Sequence, residues 1–105
     1  MTEIMKIYNS NSINKKSLLP LSHEDFESPI SSDVKWLRSY LGWSQRDLGC
    51  FLGLKVSIHG CNTVRKWEVK EGRKEHRNIH NGYWRLMVIA SKLDCIETDI
   101  SNGKK

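Results

Sequence analysis

Apolar residues recur at helical spacing in four separate stretches of the chain. Val34, Leu37 and Leu41 share one face, with Trp36 and Tyr40 on an adjoining face, and this pattern predicts a first long helix. Ser32 is its expected N-cap, Asp33 puts a carboxylate in the first turn, and Gly42 is placed to stop it. Leu48, Phe51 and Leu52 form the stripe of a second helix. Ser44 opens it with Asp47 three residues on, the pattern of a capping box, and Gly53 ends it. A third helix is expected from Cys61 or Asn62 to Val69, with Val64 and Trp67 facing inward and Gly72 closing the turn that follows. A fourth, capped by Asn81, holds Trp84, Leu86, Met87, Val88, Ile89, Ala90 and Leu93. It is the most apolar segment and is expected at the centre of the core.

The flanks lack this order. Residues 1–20 are rich in Asn, Ser and Lys and predict a flexible arm with a short ordered piece around residues 4–8. Ser22, with Asp25 three residues later, is placed to cap a helical turn through Phe26, and Pro29 marks a break. Beyond Cys95 the chain is short and polar by its end. No stretch alternates with period two for long enough to argue for a sheet, and no internal repeat is legible. The expected class is all-α, a domain of four or five helices with a mostly irregular N-terminal extension. The expected divisions are an arm over 1–29 that is flexible or binds a partner, a helical domain over 30–94, and a tail over 95–105. Removing residues 1–28 is expected to spare the fold.

At 105 residues, 38% hydrophobic and 28% charged, the chain has the makings of one soluble domain with a modest core. It has no apolar run of membrane-spanning length, and residues 1–20 lack the apolar stretch of a signal peptide, which points to the cytoplasm. Cys50, Cys61 and Cys95 are odd in number and widely spaced, and read as small buried or half-buried side chains, not disulfides. The net charge of +5 is unevenly placed. Residues 33–92 hold twelve Lys/Arg against five Asp/Glu, or +7, while each flank carries −1. A basic middle suggests a polyanionic partner, of which nucleic acid is the commonest, though a solvated basic surface would look the same.

The ordered set Leu37-Arg38, Leu41-Gly42-Trp43-Ser44-Gln45, Leu48-Gly49, Leu52-Gly53-Leu54, Thr63-Val64-Arg65-Lys66-Trp67-Glu68 and Gly72 resembles the lambda-repressor-like, Xre-type helix-turn-helix family. Within it the chain is most similar to the small regulators that include HigA-type antitoxins. They too enter the first helix from a proline, here Pro29, and continue into an apolar fourth helix like Trp84-Arg85-Leu86-Met87. The resemblance covers about 60 of the 105 residues and none of the first 28. The chain departs from the family in a longer connection, Leu54-Lys55-Val56-Ser57-Ile58-His59-Gly60, and in Gly49 where alanine is usual.

The resemblance implies a cytoplasmic bacterial or phage-encoded regulator that binds double-stranded DNA as a homodimer. Such a protein typically represses its own operon through an inverted repeat. Gln45 would meet a phosphate and buttress the third helix, or else be a plain surface residue, and Arg46 stands beside it. Cys61, Asn62, Thr63, Arg65 and Lys66 would face the bases, with Asn suited to adenine and Arg or Lys to guanine. Asn62 could equally be spent as the helix N-cap. Lys70, Arg73 and Lys74, with Arg77, would meet the backbone or form a solvated basic loop. Arg38 and Glu68 would form a structural ion pair between the first and third helices. The connection over 54–60 either extends the DNA footprint or is a tolerated surface insertion.

Other chemistries have weaker signals. His59, Cys61, His76 and His80, with Cys50, could be zinc ligands, but no Cys-x-x-Cys pair exists, so no metal and no cofactor is expected. Redox sensing by Cys61 lacks any sign of an activated thiol. No phosphate loop, nucleophile with a base, or paired carboxylates mark an enzyme, and a small basic hydrolytic toxin is the remaining enzyme class. The alternative function is an antitoxin that binds a partner toxin through its terminal extension as well as DNA.

Overall fold

A computed structural model describes residues 13–104. Among these the chain is all-helical, with no strand. A 3-10 turn (Lys15–Leu18) precedes five α-helices: α1 (Ser31–Leu41), α2 (Gln45–Phe51), α3 (Asn62–Glu68), α4 (Asn81–Ser91) and α5 (Ile96–Gly103). α1 packs on both α3 and α4, and α2 packs on α3. The side chains that close the centre are Val34 and Leu37 of α1, Leu48 of α2, Val64 and Trp67 of α3, and Trp84, Met87 and Val88 of α4. Burying each such side chain contributes about 2 kcal/mol, so this set is what holds the helices together. No helix among the described residues is long and apolar enough to cross a membrane.

The helix ends follow local chemistry, with two expected caps displaced by a residue or two. At α2, Ser44 Oγ accepts from the Asp47 amide and Asp47 accepts from the Ser44 amide, closing a reciprocal capping box. Gly42 ends α1 in the left-handed region at φ 74, where a side chain would be strained. Ser32 is not the cap of α1. The helix begins at Ser31, and the buried Asp33 carboxylate accepts from the Ile30 amide (2.9 Å) and the Asn14 amide (3.1 Å). Asn81 does not cap α4 either, because His80 Nδ1 accepts from the Gly82 amide at 3.0 Å. Ser22 caps nothing in its own turn. There the Asp25 amide is satisfied by His23 Nδ1.

Residues 13–29, expected in a separate arm, belong to the body. Ile13 and Leu18 are buried in the same core as α1 and α4, and Ser17 is fully buried. The Trp84 indole N–H donates to the Ser17 carbonyl at 2.6 Å, and Arg85 Nη1 donates to the Leu18 carbonyl at 2.9 Å. Ile13 stands alone among polar residues and Leu18 belongs to the short run Leu18-Leu19-Pro20-Leu21, so neither carries a helical period, which is why the expected boundary fell too late. The ordered piece expected around residues 4–8 lies outside the described residues. The expected tail also folds onto the domain. Arg85 bonds Asp99 through Nε and Nη2 (both 2.7 Å) and Asp94 through Nη2 (2.8 Å), which fastens α5 to α4.

The backbone contains a repeat that the sequence hides. In the first copy His23 N–H bonds Pro20 O, Phe26 N–H bonds His23 O, and Glu27 N–H bonds Lys16 O. In the second, Arg73 N–H bonds Lys70 O, His76 N–H bonds Arg73 O, and Arg77 N–H bonds Lys66 O, each position being the first plus 50. Each loop then enters an 11-residue helix, α1 or α4, that ends in a left-handed residue, Gly42 or Lys92. No aligned pair between residues 19–42 and 69–92 is identical. The consequence for the surface is that both loops fold back on the element before them, so the basic loop after α3 is held against α3.

Candidate nucleic-acid interface

α3 is short, and its position depends on what grips it. Val64 and Trp67 point into the core, as the spacing predicts. On a third side Glu68 receives the Arg38 guanidinium in a two-pronged bond, Nε to Oε2 at 2.6 Å and Nη2 to Oε1 at 2.9 Å. The pair is largely removed from water, with side-chain exposures of 14% and 6%. Arg38 Nη1 also donates to the Trp43 carbonyl at 2.8 Å, so one side chain fixes the α1–α2 turn and α3 together. Bonding to the Glu68 carboxylate raises the Arg38 pKa above its ordinary value, so the charge on Arg38 is permanent.

Gln45, at the start of α2, is half-buried, and its amide donates to Glu68 Oε1 at 3.1 Å. It therefore braces α3 directly. Arg46 is exposed, and its Nε donates to the Ser57 carbonyl at 3.0 Å, tying α2 to the connection that leads into α3.

Cys61 does not face outward. It is the N-cap residue of α3, 3% exposed, and its thiol meets the Lys55 carbonyl at 3.4 Å. A Cβ at Gly49 would lie 2.7 Å from Cys61 Sγ and 2.8 Å from Val56 Cγ1. Glycine in a helix costs about 1 kcal/mol relative to alanine. Forcing a methyl into this contact costs as much or more, about 1–3 kcal/mol. Glycine at 49 is thus the condition for α2 and the start of α3 to touch, and Cys61 is a packing residue with no part in a reading face.

The outward side of α3 holds Asn62 and Thr63, both exposed, and Arg65 and Lys66, partly exposed. Asn62 lies inside the helix as its first residue and leaves the cap to Cys61. Its carbonyl oxygen accepts from Arg65 Nε at 3.0 Å, so the two side chains form one polar unit. Arg65 Nη2 also reaches Glu75 at 3.0 Å. Glu75 was not expected at this site. It lies ten residues away in a loop, and nothing in the linear pattern joins it to Arg65. The Arg65 guanidinium holds the Glu75 carboxyl below its usual range.

Lys70, Arg73 and Lys74 are exposed on the loop after α3 and border a shared depression with Val69 and Glu75. The loop is closed on itself by Arg77 Nη1, which donates to the Lys74 and His76 carbonyls at 3.1 and 2.8 Å. His76 locks its other end. Nδ1 faces the Val69 carbonyl at 2.6 Å, and Nε2 faces Asn78 Oδ1 at 2.8 Å and Glu71 at 3.7 Å. With oxygens at both ring nitrogens, the doubly protonated ring is favoured. The Asn78 contact first, then the Val69 carbonyl and the Glu71 charge, raise the His76 pKa above its ordinary value. Glu71 in turn accepts from the Ser31 amide (2.7 Å) and hydroxyl (2.8 Å), so the basic loop also caps α1.

The expected residues thus fall into one region with one exception. Gln45, Asn62 and Arg65 border a common cleft with the turn at Ser57, His59 and Gly60. Lys70, Arg73 and Lys74 continue the surface beyond the end of α3, while Cys61 borders the cleft only from its buried floor, 3% exposed. Among the described residues no three His, Cys, Asp or Glu side chains converge as a metal site would require. Comparison of the chain with family models, curated proteins and solved structures finds no match.

Proposed function

We propose that this protein is a sequence-specific double-stranded DNA-binding regulator with a lambda-repressor-like domain, in which α3 enters the major groove. The observation that carries the reading is the two-sided character of α3. One side is buried through Val64 and Trp67 and pinned by the Arg38–Glu68 pair, while the other offers Asn62, Thr63, Arg65 and Lys66 to solvent. Base reading requires donors and acceptors presented from a rigid support, and Asn62, Thr63, Arg65 and Lys66 are side chains of that kind on a helix held by its buried side. Lys70, Arg73 and Lys74, on a loop tied to the same helix, supply phosphate contacts that add affinity without sequence information.

The role we assign is an autoregulating repressor that acts as a two-fold dimer on an inverted repeat. In vitro selection from a random duplex pool tests it. An enriched sequence with two-fold symmetry and half-sites about one helical turn apart supports the reading. A pool that stays random through successive rounds removes it.

A further inference from the structure

The connection between α2 and α3 is built as a closed turn. Ser57 and Gly60 exchange backbone hydrogen bonds at 2.9 and 3.2 Å, and the His59 amide donates to Ser57 Oγ at 3.1 Å. Gly60 sits at φ 140, open to glycine and strained for other residues. Arg46 fastens the turn to α2 through the Ser57 carbonyl, and Leu54 and Val56 root its base on the core. At its tip Ile58 is 87% exposed, the most exposed large apolar side chain in the described structure. The turn borders Gln45, Asn62 and Arg65 on one side and Asn62 and Thr63 on the other.

A tolerated insertion needs neither this closure nor an isoleucine held out in water. The charge around the tip points to its occupant. Residues 48–67 contain no Asp or Glu and carry Lys55, Arg65 and Lys66; of the acids that touch residues beside the turn, Glu68 is matched by Arg38 and Glu75 is paired with Arg65. A polyanion with an accessible apolar group fits such a surface, and duplex DNA offers one in the major groove as the 5-methyl of thymine. We propose that the Ser57–Gly60 turn is a second base-reading element, in which Ile58 packs on the methyl group of a thymine beside the base pairs faced by Asn62 and Arg65. The inference rests on α3 being the recognition helix and adds a reading position outside it.

The test uses the full chain and the duplex that it enriches from a random pool. Ile58→Ser should melt with the wild type, since the side chain supports nothing in the fold, and should bind the enriched duplex about fourfold more weakly, the worth of roughly one buried methyl. Replacing thymine by deoxyuridine at one position flanking the α3 site should weaken wild-type binding by the same factor and leave Ile58→Ser unchanged. Arg65→Ala should lose preference at different positions. Ile58→Ser binding as tightly as wild type, or losing equally on thymine and uracil duplexes, would overturn the second element while leaving α3 as the reader. A wild-type chain that enriches no duplex would overturn both.

Discussion

The Arg65 guanidinium lies 3.0 Å from the Glu75 carboxylate, so the side chain best suited to guanine is held by an acid in the free protein. In the proposed complex phosphates would approach the same surface, where the Glu75 charge would oppose them and Arg65 would have to leave its partner. Glu75→Gln is therefore expected to strengthen duplex binding, about two- to tenfold at low salt, with the gain shrinking as salt screens the charge. Fluorescence anisotropy at several salt concentrations measures it. Weaker binding by Glu75→Gln would mean that the carboxylate orients Arg65 for reading and does not restrain it.

The Arg38–Glu68 pair makes a different prediction. Removing either partner leaves the other charge desolvated, which costs about 3–5 kcal/mol, far above the worth of an exposed pair. Glu68→Ala should lower the unfolding free energy from urea denaturation by that amount and Arg38→Ala by a similar one. The double replacement should cost less than the two single losses combined. Strict additivity would show that the two side chains act independently and that α3 is positioned by its apolar face alone.

Deleting residues 1–28 is expected to unfold the domain or to lower its melting temperature severely, the reverse of what the sequence pattern suggests. It would expose the apolar surface under Ile13 and Leu18 and leave the Trp84 and Arg85 donors without the Ser17 and Leu18 carbonyls. Each buried donor left unpaired costs about 1–3 kcal/mol in addition to the lost burial. A truncated domain with an unchanged melt by circular dichroism would contradict the packing of this segment.

How much could be read in advance depended on whether the determining contact was local. Ser44 with Asp47, and Gly42 after Leu41, settle their helix ends within a few residues, and both are legible. So are the inward positions Leu37, Leu48, Val64, Trp67, Trp84 and Met87, which follow helical spacing. Ile13, Leu18 and Cys61 are buried by partners far along the chain or by a glycine on another helix, and no periodicity marks them. The 50-residue repeat is carried by backbone bonds whose positions share a single identity, Lys16 with Lys66, so side-chain comparison misses it. At the candidate interface the residue types on α3 were readable, while the restraint by Glu75 and the exposed tip of the Ser57–Gly60 turn required the fold.

His76 predicts a pH dependence. Its folded pKa is raised, so the protonated ring is favoured in the native state. The stabilisation is fully present below the ordinary histidine value near 6.5 and is lost as pH rises through the higher folded value. Melting temperature should therefore fall as pH rises above the ordinary histidine value, and His76→Gln should flatten that decline. The same variant should loosen the Lys70–Lys74 loop, read as faster amide exchange there. An identical pH slope in wild type and variant would assign the dependence elsewhere.

Reading of duplex sequence by this chain is the property on which the proposed function depends. Its most direct test is a binding titration of the full chain against the DNA immediately upstream of its own gene, with a scrambled duplex of equal length, at two salt concentrations. Tight binding to the upstream DNA is expected, with much weaker binding to the scrambled duplex and a steep loss of affinity with salt for both, since phosphate contacts serve each. Equal, weak binding to the two duplexes would reduce the basic surface to general electrostatics and contradict the assignment of α3 as a reader.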